Sequence, residues 1–175
     1  MNQPPPPSSR LELICEESSV RWARVHTRDV LSKWSVPDSV LQDVVLVVSE
    51  LSTNAVKHTR RPATLPQMPA PAPLKFVLTL WFMPEYVMVY VYDQDRTPPA
   101  IRRANPDADG GRGLALVEQL TSEWGYIYPT PYSGKAVYAK VLMPGNPLPT
   151  DLPAAEVPLP RGRNLYIVRE GLSYA

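Results

Sequence analysis

Residues 38–59 read DSVLQDVVLVVSELSTNAVKHT. Leu41, Val44, Val45, Val48, Leu51 and Ala55 recur there at helical spacing, which predicts a helix with one buried side. Ser35-Val-Pro-Asp38 is a start signal for it, with proline near the first turn and an acid to meet the helix dipole. The helix runs to about Thr59, because Pro62 forbids more. On its other side Glu50 and Asn54 stand four residues apart, so they lie about 40° apart around the axis and one turn apart along it. Asp43 and Lys57 fall on the same stripe. The apolar face is centred roughly 130° away by the same geometry. A carboxylate, an amide and a lysine therefore line one edge of a half-buried helix. Taken alone, that is also how the solvated face of an ordinary helix looks.

Working outward, LELIC (11–15) alternates as a short strand with Glu12 outward. Ser18 or Ser19 opens a helix to about Trp34, carrying Val20, Ala23, Val30, Leu31 and Trp34 on a stripe interrupted by Thr27. Arg21, Arg24 and Arg28 share another face, read as solvated. Beyond the central helix, Leu74–Phe82 and Tyr86–Tyr92 alternate and are rich in β-branched and aromatic residues. Joined by Met83-Pro84-Glu85, they read as an antiparallel hairpin. A glycine-rich turn at 110–113 opens a helix from Leu114 to about Thr121, and Trp124–Tyr128 and Lys135–Met143 form a second strand pair. The order β-α-α-β-β-loop-α-β-β predicts an α+β fold. Its form is a two-layer α/β sandwich, with a mixed, mostly antiparallel sheet and the helices on one face.

Proline bounds the domain. Of 22 prolines, four occupy positions 4–7, five lie between Pro62 and Pro73, and six between Pro144 and Pro160. Such runs cannot build ladders or helices. They divide the chain into a disordered tail (1–10), a folded domain (11–143) with an insertion at 60–73, and a proline-rich linker and tail (144–175). Within that tail Leu165, Ile167 and Val168 form an apolar cluster able to add a strand to a sheet edge or dock a partner, or to remain a tail with one sticky segment. A net charge of +1 offers no basic excess for nucleic acid. One cysteine, Cys15, excludes an internal disulfide framework. No run approaches the roughly 18 apolar residues of a membrane span, and the first ten residues lack a secretory pattern. A cytoplasmic protein is expected.

Two further signals carry chemistry. Asp93 follows the strand VMVYVY, where a carboxylate can accept from an exocyclic amine, or simply form a turn in DQDRTPP. Gly110-Gly-Arg-Gly-Leu114 precedes a helix, and glycines there let backbone N–H groups approach a phosphate, though a flexible loop has the same composition.

Together the three segments resemble the gyrase, chaperone and histidine-kinase ATPase family, the Bergerat ATP-binding fold, along about residues 18–143. ELSTNAVKHT (50–59) looks like its N-box, VYDQDRTPP (91–99) like its first glycine box and GGRGLALVEQL (110–120) like its second. SGKAVYAKV (133–141) resembles its closing strand. Glu at position 50, the compact size and Arg28-x-x-Leu31-x-x-Trp34 resemble the stand-alone anti-sigma-factor serine kinases. The resemblance implies ATP and Mg²⁺, with Asn54 holding the metal and Glu50 acting as general base. Asp93 would read the adenine amine. Gly110, Gly111, Gly113 and Leu114 would form the phosphate turn, with Arg112 and Lys57 adding charge. Gln94–Asp109 would be a lid carrying Arg102 or Arg103 to the γ-phosphate. The implied partners are a sigma factor and a small antagonist protein, with a homodimer compatible; no direct nucleic acid or membrane contact is expected. His58 is read as a packing or capping group. Two departures stand out: Asp95 where the family has glycine, and Lys135 where it has threonine. They leave room for a non-catalytic nucleotide-dependent binding module. A histidine-kinase-like catalytic domain acting in trans is a third reading, against which Glu50 argues.

Overall fold

Strict alternation in the central strands decides the layering. In the computed structural model, which describes residues 6–59, 72–99, 112–131, 133–145 and 165–167, β2 (Lys75–Met83) and β3 (Tyr86–Asp93) form the expected hairpin. Phe76, Leu78, Leu80, Val87, Val89 and Val91 point to one face and are fully or almost fully buried. Trp81, Tyr86, Met88, Tyr90 and Tyr92 point to the other, forming a separate aromatic cluster with Ile127, Ala136 and Tyr138. A period of two can do nothing else.

The remaining strands are β1 (Ser8–Ile14), β4 (Glu123–Pro129), β5 (Lys135–Leu142) and β6 (Leu165–Ile167). The sheet order is β1-β2-β3-β5-β4-β6, and every pairing between described strands is antiparallel. β1 begins at Ser8, inside the stretch expected to be a tail, because Ser8, Ser9 and Arg10 pair with Trp81, Leu80 and Thr79. A ladder needs backbone groups rather than apolar side chains, so composition hid it. β6 lies on β4, with Ile167 opposite Ile127.

Three helices, α1 (Glu17–Lys33), α2 (Asp38–His58) and α3 (Arg112–Leu120), cover the face of Val87, Val89 and Val91. On α1 the buried stripe is Ser19, Ala23, Thr27 and Leu31. Thr27 thus belongs to the stripe: its hydroxyl donates to the Ala23 carbonyl at 2.7 Å, which satisfies the buried oxygen. Ser35 closes α1 rather than opening α2. Its φ is 56°, and the Ser35 and Val36 amides bond the Ser32 and Leu31 carbonyls at 3.0 Å each, a left-handed helix cap.

α2 is buried over a wider arc than one stripe. Val40, Val47 and Ser52 join Val44, Val45, Val48, Leu51 and Ala55 inside, because α1, α3 and the sheet pack around it. Each fully buried valine is worth roughly 1.5–3 kcal/mol relative to exposure. The helix that carries Glu50 and Asn54 is therefore held from several sides. Among the described residues, no helix is long and apolar enough to cross a membrane.

Candidate nucleotide site

The helix edge read from the sequence exists. Glu50 and Asn54 are half-buried on α2, while Lys57 and His58 are exposed in its last turn. Thr59, the C-cap of α2, stands beside Cys15 at the end of β1, and Cys15 in turn feels the charge of Asp93. Burial pushes the Cys15 thiol up, the Thr59 hydroxyl pulls it back, and Asp93 adds to the rise. The C-terminal end of α2 and the tip of β3 thus share one end of the sandwich.

Glu50 meets α3. A Cβ placed on Gly113 would collide with the Glu50 carboxylate oxygen, so only glycine permits this approach. Gly113 stands in the first turn of α3, which begins at Arg112, two residues before the expected start at Leu114. N–H groups of a first turn lack partners within the helix and carry partial positive charge. The Glu50 carboxylate is consequently poised at a positive helix end. Leu114 is buried in the core and anchors that end. Gly110, Gly111, Arg102 and Arg103 lie outside the described residues, as do the Arg112 side chain and positions 100–109 of the expected lid.

On the sheet side of the same end, Asp93 is where β3 stops, and its register partner on β5 is Lys135. The two form a buried ion pair, Nζ to Oδ1 at 2.8 Å, with side chains only 6% and 4% exposed for Lys135 and Asp93. Gly134 makes this closeness possible: a Cβ there would run into the backbone carbonyl of Asp93. The Lys135 ammonium also donates to the Asp95 carbonyl at 2.9 Å and stands 3.6 Å from Asp95 Oδ2. The Asp95 amide donates to Asp93 Oδ1 at 2.9 Å, and the Thr97 amide and hydroxyl donate to Asp95 Oδ1. Two consecutive aspartate turns result. Tyr128 ties them to the sheet, its hydroxyl donating to the Arg96 carbonyl at 2.9 Å while the Arg96 guanidinium lies 4.5 Å over its ring.

The charges follow from that packing. Burial pushes the Asp93 carboxyl up, and the hydrogen bond and charge of Lys135 pull it back. At Asp95 burial works the same way but is outweighed by the Thr97 amide and hydroxyl and by Lys135, so its carboxyl sits below the usual range.

Asp93 is 3% exposed, and its Oδ1 is engaged from within the chain by the Asp95 amide and the Lys135 ammonium. Lys135 was legible only as a departure from pattern, not as the partner of Asp93. The available signal was that a carboxylate and an amine, Asp95 and Lys135, replace two small residues beside one aspartate.

A family model described as the histidine kinase-like ATPase domain matches residues 15–139. No curated protein matches the chain. Among solved structures, the chain is similar to the crystal structure of the RsbU and RsbW domains of Rv1364c from Mycobacterium tuberculosis, with a TM-score of 0.55 and 20% identity. That match covers 79% of this chain and 33% of that one, so the chain spans about a third of the neighbour's length. The span of the family match, together with the α2 edge, the β3 tip and the start of α3 at one end of the sandwich, settles the classification: the chain belongs to the histidine kinase-like ATPase domain family.

Proposed function

We propose that this chain is a nucleotide-dependent regulator of the anti-sigma-factor serine/threonine kinase type. It binds ATP with Mg²⁺, transfers phosphate to a hydroxyl on a small antagonist protein, and sequesters a sigma factor. The observation that carries this reading is the placement of Glu50 against Gly113. It puts a carboxylate, one helical turn from an amide, at the N-terminal end of a helix that can receive phosphate. In this reading Asn54 supplies the protein oxygen for the metal. Among the described residues no group of three or more His, Cys, Asp or Glu converges. Asn54 would therefore be complemented by phosphate and water oxygens, as is usual for Mg²⁺. The ion, when bound, neutralises phosphate charge during transfer. Glu50 would accept the proton of the attacking hydroxyl from its place beside Gly113 in the first turn of α3. Arg102 or Arg103 would meet the γ-phosphate.

The test is ATP affinity with and without Mg²⁺ for the wild type, Asn54→Ala and Glu50→Ala. It is combined with transfer of labelled phosphate to serine on a purified antagonist. Asn54→Ala should lose the metal-dependent part of affinity, about tenfold or more, while Glu50→Ala should bind and fail to transfer. Equal metal-dependent binding by Asn54→Ala would remove the metal assignment, and equal transfer by Glu50→Ala would remove the base.

A second reading, a non-catalytic module that binds partners in response to nucleotide, is favoured by one observation. The carboxylate expected to read the base is already engaged by Lys135. Phosphate transfer by the wild type would exclude it.

A further inference from the structure

Asp93, Asp95 and Lys135 form one buried cluster of a donor and its acceptors. The ammonium of Lys135 has three hydrogens and faces three acceptors of its own chain: Asp93 Oδ1 at 2.8 Å, the Asp95 carbonyl at 2.9 Å and Asp95 Oδ2 at 3.6 Å. Asp93 Oδ1 receives a second donor from the Asp95 amide. The pair is sealed, with neither side chain more than 6% exposed. A solute amine approaching Asp93 meets a side chain only 4% exposed whose Oδ1 already accepts from a charged amine and a backbone amide. Displacing Lys135 would leave the ammonium buried without its counter-charge, a cost that one hydrogen bond to a neutral amine does not return.

We propose that Lys135 is a specificity-determining residue, an internal surrogate for the amino group of adenine. The base end of the site therefore does not select 6-aminopurines. Resting on the nucleotide-binding reading above, this makes the chain a binder of purine triphosphates held through their phosphates, with adenine unprivileged. Asp95 is part of the same device. Where glycine would offer only a carbonyl at that position, aspartate adds a second carboxylate facing the ammonium, and its amide fixes the Asp93 rotamer.

The experiment compares ATP with ITP, which carries a 6-oxo group in place of the 6-amino group, by calorimetry on the full chain in Mg²⁺. For the wild type, dissociation constants within threefold of each other are expected. In Lys135→Thr, which frees Asp93, ATP should gain at least tenfold over ITP, and in Lys135→Thr/Asp95→Gly it should do so as well. Thermal melts establish that each variant folds, and if neither does, the wild-type ratio still decides. A wild-type preference for ATP of tenfold or more overturns the proposal while leaving nucleotide binding intact. A cooperatively folded Lys135→Thr that keeps a ratio near one also overturns it. If neither triphosphate binds to wild type or variant, the nucleotide-binding reading itself fails, and this inference with it.

Discussion

Replacing Lys135 by methionine removes the counter-charge of a carboxylate that is 4% exposed and cannot turn to water without opening the junction of β3 and β5. Breaking a buried pair from one side costs about 3–5 kcal/mol, because the remaining charge stays desolvated. In a domain of this size each kcal/mol moves the melting temperature by roughly 3–5 °C, so Lys135→Met should melt about 10–20 °C below the wild type. Asp93→Leu, which strands the ammonium, should fall in the same range. The double variant Asp93→Leu/Lys135→Met removes both charges and should recover most of the loss. The coupling energy would be about 2–4 kcal/mol, since apolar replacement of a whole buried pair is often nearly neutral. Acid should also rescue Lys135→Met. A carboxyl raised in the folded state binds its proton more tightly folded than unfolded, so stability is gained as pH falls and lost as pH rises through the folded value. Its deficit at pH 5 should therefore be smaller than at pH 7.5. Circular-dichroism melts of the four proteins at both values measure all of this. If the single effects sum to the double within about 0.5 kcal/mol, the pair is not coupled and the reasoning about the sealed base end is wrong.

Gly113→Ala should leave stability within about 1 kcal/mol, since the colliding atom is the tip of a flexible side chain and alanine favours the helix. It should displace the Glu50 carboxylate, so that phosphate transfer falls as it does in Glu50→Ala; unchanged transfer in a melt-matched variant would count against the role given to Glu50. Ser35→Gly relieves a left-handed residue with a φ of 56° and should raise stability by about 0.5–1 kcal/mol, read from urea midpoints; a loss would show that the cap is not strained. His26, half-buried and 2.9 Å from Ser9 Oγ, has its pKa lowered first by burial. Its neutral form is thus favoured by folding, and its contribution is present above the unfolded value near 6.5 and lost as pH falls below it. Urea midpoints should drop between pH 7.5 and 5.5 less steeply in His26→Gln than in the wild type, and equal slopes would refute the assignment.

What could be read from the chain was what periodicity and punctuation determine locally. The edges of β2, β3 and β5 fell within a residue or two, because alternation and Pro84, Glu85 and Gly134 bracket them. The stripe of α2 was partly legible. Its widening to Val40, Val47 and Ser52 was not, since that burial comes from elements distant in sequence. Ser8–Arg10 escaped notice because a polar edge strand has no hydrophobic signature, only a partner. Glu50 and Asp93 were singled out by residue type and spacing. Their surroundings were not found. The glycine that lets Glu50 approach α3 is 63 positions away in the sequence, and the lysine that covers Asp93 is 42 positions away.

The two departures from the family pattern explain each other physically. An aspartate placed two residues after Asp93 adds a like charge beside a buried carboxylate, and the Asp95 charge indeed raises Asp93. Alone, that substitution would press one of the two to keep its proton. A lysine facing a strand-end aspartate without Asp95 would lack the second carboxylate, whose Oδ2 stands 3.6 Å from the ammonium. Together the ammonium spans both carboxylates and one carbonyl, and Gly134 brings the backbone close enough for the short bonds. The proposed phosphate end, Glu50, Gly113 and the start of α3, shares no side chain with this set. The two ends of the site can therefore change independently. A change at the Asp93 end that is internally neutralised need not disturb the contact of Glu50 with α3, so the proposed loss of adenine selection is compatible with the proposed phosphate end.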